Sequence, residues 1–177
     1  MSSESGIEPQ DLADRLRGDP LISDVEVMSG PEQGRMTAFI VGKGFRPGPE
    51  LRGKAMSLAG ELSGRLQVAI LPKIPRRPDG SLDKEQAVTI MRRPRVLLRF
   101  EPPATDSERE VVELLSTLLP VKNISMSDYL GNLGADSITM IELASLIADE
   151  FGIEISPLDM FRLQSIRELV ALVFPGA

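Results

Sequence analysis

Leu133-Gly134-Ala135-Asp136-Ser137-Ile138-Thr139-Met140-Ile141-Glu142-Leu143, running on through Ile147 to Phe151-Gly152-Ile153-Glu154-Ile155, is the stretch on which the C-terminal half turns. It predicts a helix from Ser137 to Phe151, closed by Gly152 at the C-cap position. Leu143, Ile147 and Phe151 recur at i+4 and face a core, whereas Ile138 and Ile141 lie off that line and stay partly exposed. Ser137 then sits at a helix N-terminus, where unpaired N–H groups and the helix dipole favour an anion. Gly134 permits a tight backbone approach just before it. An isolated Asp-Ser pair at this place would do no more than cap the helix.

Working outward, Thr105-x-x-Glu108 is a capping box, followed by the apolar stripe Val111, Val112, Leu114, Leu115, Leu118 and Leu119 and stopped at Pro120. Ser165-x-x-Glu168 is a second capping box, with the apolar residues Ile166, Leu169, Val170 and Val173 following Ser165. Ser156-Pro157 places a cap and an N1 proline before a short helical turn ending near Phe161. A loop over about residues 120–136 joins the first of these helices to the helix at Ser137, and a loop of that length is usually functional.

With this context the region resembles an acyl or peptidyl carrier protein over about residues 104–174. The resemblance implies an all-α four-helix bundle. It also implies that Ser137 receives a 4′-phosphopantetheine arm from coenzyme A, with Asp136 as the adjacent motif residue. The arm's thiol carries an acyl or aminoacyl thioester. Ile138, Ile141 and Glu142 become candidate partner-recognition residues; read from spacing alone, the two isoleucines would equally suit an ordinary core. Tyr129-Leu130-Gly131 stands where many peptidyl carriers have two phenylalanines, and Asp136 where they commonly have His, which leans toward acyl or aryl carriers and leaves the cargo class open.

Composition narrows the chemistry. The 177 residues include no Cys and no His, which excludes a disulfide framework, a thiolate nucleophile, an imidazole base and Cys/His zinc sites. The paired carboxylates Asp11/Asp14 and Asp149/Glu150 read as solvated helix faces, and no metal site is expected. The start Met1-Ser2-Ser3-Glu4 has no apolar signal region, and no long apolar run suggests a membrane span; a cytoplasmic protein is expected. Residues 1–100 carry 16 Lys/Arg against 13 Asp/Glu, a net of +3, while residues 101–177 carry 4 against 13, a net of −9, so the two halves differ in character. The seam is Arg92-Arg93-Pro94-Arg95 through Glu101-Pro102-Pro103, read as a linker over 92–104; without interleaved aromatics these arginines do not suggest nucleic acid. No internal repeat is present.

The first hundred residues read as α+β. A helix spans Pro9 to Arg17, stopped by Gly18. Strands cover Asp24–Ser29, Met36–Val41 and Gln67–Leu71, the first two joined through Gly30-Pro31-Glu32-Gln33-Gly34. A helix opens at Pro49 with Leu51, Ala55, Leu58 and Leu62 on one stripe and stops at Gly64, weakened by Gly53 and Gly60. A turn-rich stretch, Pro72–Gly80, precedes a short helix from about Asp83. Gly42-x-Gly44 lacks a third glycine in register and makes no phosphate loop.

Gly6-Ile7-Glu8-Pro9, Asp24-Val25-Glu26-Val27, Ala38-Phe39-Ile40-Val41 and Leu71-Pro72-Lys73-Ile74-Pro75-Arg76-Arg77-Pro78-Asp79-Gly80-Ser81-Leu82-Asp83-Lys84 follow one another in the order seen in adenylate-forming enzymes. The half resembles their small C-terminal subdomain. Where that family has its catalytic lysine this chain has Ser81, which cannot place a cation on developing negative charge; Lys84 matches the basic residue after Asp83 instead. The chain carries no counterpart of the large ATP-binding subdomain.

The expectation is therefore an α+β domain at 1–91, a linker at 92–104 and a helical carrier at 105–177. The resemblance implies no catalytic residues of the chain's own and a carrier role in non-ribosomal peptide or polyketide-type biosynthesis. Its partners would be a phosphopantetheinyl transferase, an adenylating or acyl-loading enzyme, and downstream condensing or tailoring enzymes; neither nucleic acid nor membrane is expected. The first half would be a docking or positioning module, or a remnant that keeps its fold. The alternatives are a residual ligase component acting with a separate core subunit, and a pure interaction protein with a vestigial carrier.

Overall fold

The computed structural model describes residues 8–30 and 34–176. The Met1–Glu4 start, Gly6-Ile7 and the Pro31–Gln33 part of the first strand connection lie outside the described residues. The chain divides into two compact units, the second made up mainly of the residues from Phe100 onward.

The first unit is a four-stranded sheet in the order β1-β2-β3-β4. β1 (Ile22–Ser29) and β2 (Met36–Gly42) pair antiparallel, with Val25 opposite Ile40; Gly30 N–H closes their connection on Arg35 O at 2.8 Å. β3 (Leu66–Ile70) runs parallel to β2, with Ala38 opposite Val68. Helices cover both faces, so β2 and β3 read as near-continuous apolar runs instead of alternating ones. On one face α1 (Pro9–Arg17) and α2 (Gly48–Ala59) bury Leu12, Leu16, Leu51 and Ala55 against Val25, Ala38, Ile40 and Val68. On the other, Phe39, Ala69, Leu71 and Ile74 pack with Ala87 of α3 (Lys84–Met91), which Asp83 caps by accepting Gln86 N–H at 3.0 Å.

Two details differ from the sequence reading. The helix opened at Pro49 ends at Ala59 and not at Gly64: Gly60 adopts φ +58° and the chain continues as a 3₁₀ turn, Gly60–Arg65. Leu58 and Leu62 still pack against the core from either side of that break. The stretch read as a linker also contains β4 (Leu97–Leu98), antiparallel to β3 with Leu97 opposite Ala69. Two residues leave no periodicity to detect.

The segment that resembles the ligase signature is held to the sheet by Arg76. Its guanidinium bonds Glu26 at 2.7 Å and Asp24 at 2.8 Å, both on β1, and donates to Gly80 O at 3.0 Å. Arg77 N–H to Ser81 O closes the turn, with Gly80 at φ +85°. Ser81 turns back on its own loop: its N–H and hydroxyl both donate to Asp79 Oδ1, at 2.9 and 2.6 Å.

The second unit is helical: α4 (Asp106–Leu118), α5 (Ser137–Phe151), α6 (Pro157–Arg162) and α7 (Ile166–Val173). The expected N-caps form, but the second capping box closes on one side only, because the Glu168 carboxylate accepts Gln164 N–H at 2.7 Å in place of Ser165 N–H. Thr105 Oγ1 accepts Glu108 N–H, Ser156 Oγ accepts Leu158 N–H, and Ser165 Oγ accepts Glu168 N–H. The core gathers Val111 and Leu115 of α4, Met140, Leu143 and Ile147 of α5, Met160 of α6, and Ile166, Leu169 and Val173 of α7. The long loop is not bare: it buries Val121, Ile124, Met126, Leu130 and Leu133, and makes a 3₁₀ turn at Leu130–Leu133. Phe151, at the end of α5, meets Phe174 edge-on with centroids 5.2 Å apart.

Glu108 joins three parts of this unit. Its buried carboxylate accepts Ala104 N–H at 2.7 Å and Thr105 N–H at 3.2 Å, and bonds Arg167 at 3.0 Å. Those backbone donors first, then the nearby arginines, hold its carboxyl below the ordinary value of 4.5. A depressed carboxyl pKa contributes stability above the unfolded value, which is lost as pH falls through the folded one. Glu108→Gln should therefore melt below the unsubstituted chain at pH 7, by far-ultraviolet circular dichroism. The gap should narrow as pH falls from about 5 toward 3.

Candidate functional site

The start of α5 is set by three successive backbone events. The 3₁₀ turn ends at Gly134, which takes φ +87° and donates its N–H to Leu130 O. Ala135 N–H returns to the same carbonyl at 3.3 Å. Asp136 is then extended and caps the helix: Oδ1 accepts Thr139 N–H at 2.8 Å and the Thr139 hydroxyl at 2.9 Å, while Asp136 O accepts Met140 N–H at 3.0 Å. Ser137 is the first helical residue. It is exposed, and its hydroxyl has no partner among the described residues.

The cap modifies the expectation of a bare anion-binding helix end. Thr139 N–H, one of the orphan donors, is already bound to a carboxylate. Asp136 is correspondingly held below its ordinary 3.8, first by Thr139 N–H, then by the Thr139 hydroxyl, with Ile138 N–H adding to it. An anionic group on Ser137 would stand beside a formal negative charge as well as the helix dipole.

The helix divides its faces cleanly. Met140, Leu143 and Ile147 are buried, whereas Ile138 is 68% and Ile141 59% exposed. Ile138, Ile141 and exposed Glu142 stand at i, i+3 and i+4, on one outward face that begins beside Ser137. The core alternative for the two isoleucines is thereby excluded. The sequence reading missed two further side chains. Leu158 and Phe161 of α6, which packs on α5, are 61% and 47% exposed because Met160 takes the core position. Their i, i+3 spacing around a buried Met160 was the available signal, but a six-residue helix offers too few positions to fix a face.

The fit to a prosthetic arm rests on these observations: an unhindered primary hydroxyl, a helix start, and an apolar exposed flank. Among the described residues, no group of three or more acidic side chains is gathered closely enough to hold a metal ion, and no helix is long and apolar enough to cross a membrane.

Comparison with known proteins bears on the same region. The family model described as a phosphopantetheine attachment site matches residues 109–173, which span α4 to α7. The chain is 30% identical over 137 residues to the AMB antimetabolite synthetase AmbE of Pseudomonas aeruginosa, covering 72% of this chain and 6% of that protein. It is 25% identical over 99 residues to bacitracin synthase 3 of Bacillus licheniformis, covering 56% of this chain and 2% of that protein. The chain thus spans only a small part of the length of these relatives. Among solved structures, it is similar to the McyG A-PCP protein complexed with phenylalanyl-adenylate, with a TM-score of 0.40 and 14% identity over 93% of this chain and 30% of that one.

The Asp136 cap gives a direct test of how the serine is positioned. Asp136→Ala should speed hydrogen exchange at the Thr139 amide, as the first turn of α5 frays. Asp136→Asn, which keeps a capping oxygen, should leave that amide close to its native protection.

Proposed function

With residues 109–173 a phosphopantetheine carrier domain, we propose that Ser137 bears the 4′-phosphopantetheine arm. We further propose that the chain shuttles an acyl or aminoacyl thioester between enzymes of a non-ribosomal peptide or polyketide-type system. The observation that carries this reading is the exposed, unpartnered Ser137 hydroxyl at the start of α5. A phosphopantetheinyl transferase would join that oxygen to the inner phosphate of coenzyme A. The Ser–O–P bond forms, the pyrophosphate bridge breaks, adenosine 3′,5′-bisphosphate leaves and the hydroxyl proton is lost. The arm's thiol supplies the nucleophile that a chain without cysteine lacks.

The chain's own residues would present and orient. Asp136 holds the first turn so that Ser137 points outward. Ile138 and Ile141, with Glu142 beside them, supply a small apolar patch with an acidic edge for the transferase, the loading enzyme and downstream condensing or tailoring enzymes. Leu158 and Phe161 extend that surface onto α6. All of this would take place in the cytoplasm.

For the first unit the proposal is a docking or positioning module derived from the adenylate-forming subdomain. The alternative of a residual ligase component with a separate core subunit draws no support from Ser81, whose hydroxyl is engaged by Asp79.

Incubation of the full chain with coenzyme A and a broad-specificity transferase should add the mass of one phosphopantetheine, seen by intact mass spectrometry. Ser137→Ala should abolish the increment. Ile141→Asp, an exposed substitution, should leave folding intact and slow the modification about tenfold or more. An increment that persists in Ser137→Ala would place the arm elsewhere.

A further inference from the structure

We propose that Asp136 keeps the prosthetic arm off the protein: by its charge and its cap it holds the helix end that the arm's phosphodiester would otherwise occupy. The inference rests on the reading of Ser137 as the attachment residue. The argument starts from the donors. An α-helix opens with N–H groups that have no partner within it. In α5, Thr139 N–H is bound by Asp136 Oδ1 at 2.8 Å, and Ile138 N–H also stabilises that carboxylate. Met140 N–H is taken by Asp136 O at 3.0 Å. One residue thus engages the first turn's donors and leaves Ser137 N–H as the remaining one. The Thr139 hydroxyl, donating to the same Oδ1 at 2.9 Å, fixes the carboxylate against that turn.

Charge acts in the same direction. Among the described residues Asp136 forms no ion pair, and the first turn, Ser137 to Met140, carries no other charge. A helix N-terminus presents roughly half an elementary positive charge, against the full negative charge of the carboxylate. The carboxylate therefore outweighs the dipole, and a phosphodiester on Ser137 Oγ meets net repulsion where a vacant helix start would bind it. This is more than capping, because an asparagine would cap the helix equally well and leave the dipole uncancelled.

The consequence lies in handover. A phosphate seated on the N–H groups would have to be released each time the arm's thiol passes from one enzyme to the next. With Asp136 in place that bound state is removed, and the arm turns freely about its root at an exposed residue.

The test compares the full ¹⁵N-labelled chain before and after loading with coenzyme A and excess transferase, with the added mass confirmed for each protein. In the native chain, loading should leave the Ile138 and Thr139 amide protons without a downfield shift. In Asp136→Asn, which keeps the cap and loses the charge, loading should move the Ile138 amide downfield. It should also slow that amide's exchange roughly two- to fivefold beyond any change in the native chain. In Asp136→Ala, which frees Thr139 N–H as well, loading should restore protection at Thr139. Equal downfield shifts in the native chain, or no gain on loading in Asp136→Asn or in Asp136→Ala, would overturn the proposal. A variant that excess transferase cannot load would assign Asp136 to transferase recognition and overturn it too. Each of these outcomes leaves Ser137 as the attachment residue. Only a native chain that takes no arm removes the carrier reading, and this inference with it.

Discussion

The second unit depends on an exchange of backbone hydrogen bonds between its longest loop and its last helix. Ile166 and Arg167 open α7 with N–H groups that have no partner within the helix. Asp128 O takes the first at 2.7 Å and Met126 O the second at 3.1 Å. The loop is braced in turn: the buried Asp128 carboxylate accepts Ser125 N–H at 2.9 Å, Ser125 Oγ accepts Glu101 N–H at 2.8 Å, and Met126 N–H donates to Glu101 O. Orphan donors of a helix and carbonyls of a loop thus satisfy each other. That is what allows Val121, Ile124, Met126, Leu130 and Leu133 to enter the core from a segment without α-helix or strand. The loop then delivers the chain, at a fixed height on the core, to Gly134 and the start of α5.

Local signals were strong wherever one residue settles one hydrogen bond. Thr105, Ser156 and Ser165 each cap the helix that their spacing announces, and Gly152 ends α5 in the left-handed conformation at φ +68°. Signals failed where the outcome rests on distant neighbours. Leu97–Leu98 forms a strand because the edge of β3 is available to it, which two leucines do not reveal. The apolar stripe after Pro49 is real, yet Gly60 breaks the helix within it, and Leu62 still reaches the core from a 3₁₀ turn. A stripe reports which side chains are buried; it does not report whether the backbone between them stays helical.

At the candidate site the same division holds. The place of Ser137 at the helix start and the outward setting of Ile138 and Ile141 were legible because α5 is long enough to have a well-defined inner face. The role of Asp136 was only half legible. A residue at the N-cap both makes the helix end and occupies the donors that an anion would use, and which effect dominates depends on the observed geometry at Thr139. Leu158 and Phe161 needed the position of α6 against α5 before their exposure had a meaning.

In the first unit, the segment that resembles a ligase signature separates shape from chemistry. Its shape comes from the Arg76 fork onto Asp24 and Glu26, the Arg77–Ser81 backbone bond and the left-handed Gly80. None of these uses the side chain at position 81 outside its own turn. Ser81 adds a bond to Asp79 and holds that carboxyl below its ordinary value, so the exposed tip is ordered by a short polar contact. The side chain at position 81 could therefore change without any loss to the sheet, the α3 cap or the buried row of Phe39 and Ala69. The constraints that shape the loop act at its base, and Ser81 sits at its tip, where folding asks little of its side chain.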